Sequence, residues 1–120
     1  MKLTEKQLDL LNRRNLAILA TTDLDFQPRA IIIEVNKVEG DRLVITDNEM
    51  GITRNNILAN KKVSILVFES DYSYCLKLIG EAEYYSCGNY FDYVIGLQAN
   101  KGRLPKGAVV VKINGIFEFK

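Results

Sequence analysis

LVITDNEMGITRNNILANKKVSILVF, residues 43–68, changes its hydrophobic period twice within a short span. Residues 43–46 are apolar and partly β-branched, the pattern of a strand. Residues 51–60 then set Ile52, Ile57 and Leu58 at helical spacing among polar neighbours, and residues 63–68 return to strand. The order strand, tight turn, short helix, strand puts Gly51, Thr53 and Arg54 at a helix start. There the first backbone N–H groups lack helical partners and the dipole is positive, so an anion is favoured. Glycine permits close backbone approach, threonine adds a hydroxyl donor, and arginine adds a charge-assisted contact. The residues alone leave a second reading open, in which Asp47 or Asn48 caps a connecting helix and Arg54 is solvated.

The flanking sequence supplies the remaining elements. Thr4 and Gln7 have the spacing of a capping box, with Leu3 and Leu8 as a hydrophobic staple. Leu8, Leu10 and Leu11 make the buried stripe of a short helix ending near Arg14. Residues 16–22 read as a strand, 23–27 as a turn, and 29–38 as a second strand. The turn Glu39-Gly40-Asp41 joins that strand to 43–46 as an antiparallel hairpin. Residues 74–85 form a long strand in which Gly80 marks a bulge. Residues 90–99 read as a helix with Tyr90, Phe91, Val94, Ile95 and Leu97 on its apolar surface. A basic Gly/Pro loop covers 100–107, and 109–119 is a final strand bent near Gly115.

These elements predict a mainly β protein of about six antiparallel strands and three short helices, closed as a small barrel that leaves no exposed edge. Residues 31–33, 65–67 and 109–111 are apolar on both strand faces. One face fills the barrel, and the other needs a helix or a second subunit over it, so a homodimer is expected.

One domain is expected over 1–120, since two would each lack a workable core. The chain is 48% hydrophobic and 26% charged, which argues against disorder. Sixteen basic residues against fifteen acidic ones leave a net charge of +1, no electrostatic footprint for nucleic acid or an anionic membrane. There is no histidine, which excludes His-based triads and His-ligated metals. Cys75 and Cys87 match no metal or redox spacing. Residues 1–14 are polar and amphipathic, unlike a signal peptide, and the apolar runs 30–33 and 108–111 are too short to span a bilayer. A cytoplasmic protein with reduced thiols is expected.

Two further clusters carry alternatives. All six tyrosines fall between Tyr72 and Tyr93, where they serve either a flat aromatic ligand or packing of strand against helix. Lys101, Arg103 and Lys106 either meet a phosphate or form a solvated loop.

Three segments together resemble the FMN-binding split-barrel family related to pyridoxamine 5′-phosphate oxidase. LATTDLDFQPRA (19–30) is similar to the family's "LATxxxxGxP", with Phe26 at the usual glycine. GITRNNILANKKV (51–63) is similar to "GKT..N…N..V", and AVVVKI (108–113) to "AxVVxI". The resemblance runs along nearly the whole chain. It implies a split barrel of Greek-key type with FMN at a homodimer interface.

By position, the resemblance puts the flavin ring against Ile32, Ile33 and Glu34, largely through backbone groups. Thr46, Asp47 and Asn48 flank the ribityl chain, and Met50, Gly51, Ile52, Thr53 and Arg54 hold the phosphate. Arg29 matches a basic position that reaches phosphate in the oxidases, or is a solvated arginine at a strand start. Ile52 departs from the family, which has lysine or arginine there. The loss of one charge-assisted contact costs on the order of tenfold to a hundredfold in affinity. The resemblance therefore implies a flavin-dependent oxidoreductase or electron carrier serving a small-molecule donor or acceptor. The alternative is a split-barrel dimer that has lost FMN and takes a deazaflavin or another small ligand, or acts as a non-catalytic module. The chain ends at Lys120, straight after its last strand, so a true pyridoxamine phosphate oxidase is not expected.

Overall fold

A computed structural model describes residues 2–119; Met1 and Lys120, the ends of the domain expected over 1–120, lie outside the described residues. The chain runs α1 (Glu5–Arg13), β1 (Leu16–Thr22), β2 (Pro28–Glu39), β3 (Arg42–Asp47), α2 (Ile52–Ala59), β4 (Lys62–Phe68), β5 (Cys75–Tyr85), α3 (Asn89–Ile95) and β6 (Gly107–Phe119). Every strand pairs antiparallel with its neighbours, in the order β1-β2-β3-β6-β5-β4, and the barrel is closed. Helix α2 carries the chain from β3 across to β4, a Greek-key connection.

Alternation along the strands fills the barrel. Leu19, Ile33, Ile45, Ile65, Val67, Leu76, Leu78, Val109 and Val111 point inward and are buried. Each such side chain contributes about 1.5–3 kcal/mol on leaving water. The register of β5 against β6 shifts between Ile79 and Gly80, at the expected bulge. The capping box is present in full: Thr4 Oγ1 accepts from the Gln7 amide, and the Gln7 side chain accepts from the Thr4 amide. Leu10 and Leu11 are fully buried, while Leu8 is only partly so.

The helix expected over 90–99 is shorter. Helix α3 stops at Ile95, Gly96 caps it, and residues 98–100 form a separate 3-10 turn. Gly96 is a poor helix former, and Asn100 Nδ2 donates to the Val94 carbonyl instead of extending the helix.

The outward faces divide. Val44 and Val110 are covered by Val94 of α3 and its neighbours Tyr90, Phe91 and Tyr93. Across β2, β1, β4, β5 and β6 a row of registered outward positions, Ile32, Ile18, Leu66, Lys77 and Phe117, carries no helix among the described residues. Ile32 is 75% exposed, and Phe119 and Phe117 about half. Among the described residues no helix is long and apolar enough to cross a membrane.

Candidate functional site

A groove of about 750 Å³ opens on the barrel beside this bare face. One wall is β2, through Ile31, Ile32, Ile33, Glu34 and Asn36. The other comprises Thr46 at the end of β3, then Asn48, Glu49 and Met50 of the following turn. The loop after α3 closes the rim with Asn100, Arg103 and Lys106.

Local hydrogen bonds fix each wall. The β2–β3 register shifts between Val35 and Lys37, and this bulge turns Asn36 toward the groove. Asn36 Oδ1 there accepts from Thr46 Oγ1 at 2.7 Å. Glu34 is held by Asn15, whose Nδ2 donates to Oε1 at 2.9 Å. The buried Asn100 side chain ties the rim to the wall. Its Nδ2 donates to Thr46 Oγ1 and the Val94 carbonyl, and its Oδ1 accepts from Asn48 Nδ2.

The turn from β3 into α2 is built around Asp47, which is fully buried. Its Oδ1 accepts from the Met50 amide at 2.8 Å, and its Oδ2 accepts from the Tyr84 hydroxyl at 2.6 Å. The Arg54 guanidinium lies farther off, 3.8 Å from the same Oδ2. Gly51 completes the turn at φ +56, a left-handed conformation natural to glycine. No side chain caps α2 at its start. Burial, and then the carboxylate of Asp47, push the Tyr84 hydroxyl up to about 12, so at neutral pH it is a protonated donor.

Of the residues singled out in the sequence, Ile32, Ile33, Glu34, Thr46, Asn48 and Met50 come together in the groove. Asp47, expected beside a ribityl chain, instead lies behind the wall with its carboxylate hydrogen-bonded to the Met50 amide and the Tyr84 hydroxyl, and with Arg54 3.8 Å away. Gly51 and Ile52 are exposed at the helix start, Thr53 is buried and Arg54 is half-buried. Arg29 is exposed near the start of β2, outside the groove lining.

Asn36, Glu49 and Asn100 were not legible as site residues, because a bulge and a loop crossing bring them in. Arg103 and Lys106 were legible as a basic loop that either meets a phosphate or is solvated, and both lie on the rim. Asn48 Oδ1, on the groove wall, and Thr53 Oγ1, in the first turn of α2 outside the lining, are buried without a partner. Both cysteines are free. Burial pushes the Cys75 thiol up, which makes it a poor nucleophile. No cluster of His, Cys, Asp and Glu that could hold a metal occurs among the described residues.

Comparison with known proteins finds a family model, a relative by sequence and two solved structures. The family model described as pyridoxamine 5′-phosphate oxidase matches residues 3–118. An uncharacterized protein of Methanocaldococcus jannaschii is 36% identical over 126 residues, covering all of this chain and 83% of that protein. Among solved structures, HupZ of Group A Streptococcus has a TM-score of 0.89 at 24% identity, over 98% of this chain and 94% of that one. An FMN-binding protein of Syntrophomonas wolfei has a TM-score of 0.79 at 19% identity, over 93% and 82%. These two structures share the fold.

Proposed function

The chain belongs to the pyridoxamine 5′-phosphate oxidase family, and we propose that it is an FMN-binding redox protein, an oxidoreductase or electron carrier acting on a small-molecule donor or acceptor. The ring lies along Ile32, Ile33 and Glu34, the ribityl chain passes Thr46 and Asn48, and the phosphate ends at Met50 to Arg54, with Arg29 within reach of it. When bound, FMN carries the hydride or electrons. The chain's residues bind it, orient it and set the charge around it.

One observation carries this reading. A single groove joins β2 to the turn before α2, where Asn48 Oδ1 is buried without a partner, and Thr53 Oγ1 in the first turn of α2, just past the groove lining, is another. An orphaned buried polar atom costs about 1–3 kcal/mol. A phosphate acceptor would satisfy the Thr53 hydroxyl, and a ribityl hydroxyl would satisfy Asn48 Oδ1, so the residues present fit the group. The uncapped start of α2 adds N–H donors and a positive dipole.

The groove is open, and Ile32 belongs both to its wall and to the bare outer face. A second copy of the chain on that face closes the groove and covers the exposed Phe117 and Phe119. The two free thiols are compatible with a reducing compartment, in keeping with a cytoplasmic protein. Ile52, exposed where a cation would strengthen phosphate binding, favours a second reading in which a deazaflavin occupies the same groove.

The test compares FMN with riboflavin, which lacks the phosphate, by titrating the Thr53→Ala/Arg54→Ala double variant. FMN affinity falls about tenfold to a hundredfold while riboflavin changes little. Unchanged FMN affinity would put the phosphate elsewhere.

A further inference from the structure

Tyr84 lies on β5, outside the groove lining, yet its hydroxyl is the shortest side-chain contact Asp47 makes. Asp47 is a carboxylate with no exposure, and Arg54 is the cation nearest to it in this structure. Opposite charges in so enclosed a place close to direct contact unless something holds them apart. Here the Tyr84 hydroxyl sits on Oδ2 at 2.6 Å, and the Arg54 guanidinium remains at 3.8 Å from that oxygen, beyond hydrogen-bond length. About one third of the Arg54 side chain stays exposed. Gly107 makes this possible from the far side. It pairs with Asp47 across β3 and β6, and a Cβ at 107 would overlap the Tyr84 ring and hydroxyl. The ring can reach Asp47 because residue 107 has no side chain.

We propose that Tyr84 is a positioning residue for the phosphate end of the site: by occupying Asp47 Oδ2 it keeps Arg54 from closing on that carboxylate and leaves the guanidinium free for an anion. This rests on the reading that a flavin phosphate binds at residues 50–54. It adds a requirement that the site's own residues do not reveal, since neither Tyr84 nor Gly107 touches the groove. A phenylalanine at 84 keeps the ring and its packing and loses only the hydroxyl. Oδ2 then has Arg54 as its remaining partner, and the guanidinium swings onto it.

Two readouts test this on the full-length chain. The first is the rate at which phenylglyoxal modifies Arg54, followed by peptide mass in the cofactor-free protein. The second is affinity for FMN and for riboflavin. In Tyr84→Phe, Arg54 modification slows several-fold, FMN binding weakens about tenfold and riboflavin binding shifts by less than about twofold. Gly107→Ala, which displaces the ring by another route, reproduces the pattern. Arg54 modified at the wild-type rate in Tyr84→Phe overturns the inference, as does an equal loss for both flavins. A wild-type protein that binds no FMN overturns the proposed function instead. In that case slowed Arg54 modification still supports the hold of Tyr84 on the guanidinium, and an unchanged rate overturns it.

Discussion

Ile52 stands where the resemblance to the family implies a lysine or arginine. It is 55% exposed at the first position of α2, so its side chain contributes little to the core. Replacing it by lysine adds a cation beside an uncapped helix start and disturbs no packing. Ile52→Lys is therefore expected to tighten FMN by about tenfold in a fluorescence titration, with riboflavin unchanged. No gain would mean that Arg29 or Arg54 already supplies that charge. At this scale the sequence was readable where a side chain's direction follows from strand alternation, as for the inward Ile33 and the outward Ile32. It was not readable for Asp47. A carboxylate after a strand can face a ligand or the interior, and a tyrosine 37 residues away settles which.

Elements were legible where the signal is local. The Thr4/Gln7 box, the hairpin turn at Gly40 and the strand–helix–strand of 43–68 all depend on neighbours within a few residues. Helix α3 was overextended, because the side chain that diverts its end, Asn100, acts through tertiary bonds to Thr46 and Asn48 as well as to Val94. Those bonds also hold the rim of the groove. Asn100→Ala removes them and leaves buried polar groups unpaired, a loss on the order of 2 kcal/mol. The expected result is a fall in Tm of about 5–10 °C, with faster tryptic cleavage at Lys101 and Arg103. An unchanged Tm and cleavage pattern would show that the loop is held by its backbone bonds alone, such as Lys106 N to the Asp47 carbonyl.

At the level of the molecule, two-faced apolar strands implied that the barrel needs an outer cover, and the cover is unevenly provided. Helix α3 supplies it over Val44 and Val110. Among the described residues no helix supplies it over the row from Ile32 to Phe117. We expect light scattering to return twice the mass of the 13.6 kDa chain. Leu66→Lys puts a charge on the outward face of β4, where Leu66 is half-buried and does not line the groove. The expected outcome is a monomer with barrel circular dichroism intact and FMN binding weakened. A wild-type monomer that binds FMN as tightly as any dimer would separate the bare face from the site. The sequence could not reveal which sector of the barrel α3 covers, because that depends on the crossing of α3 over β3 and β6.

The most direct test of the account is a visible absorption spectrum of the purified protein after FMN is added and the excess removed on a desalting column. Flavin bands are expected to stay with the protein, one FMN for each chain. A colourless protein would contradict it, and the groove would then belong to a deazaflavin or to a ligand without redox chemistry.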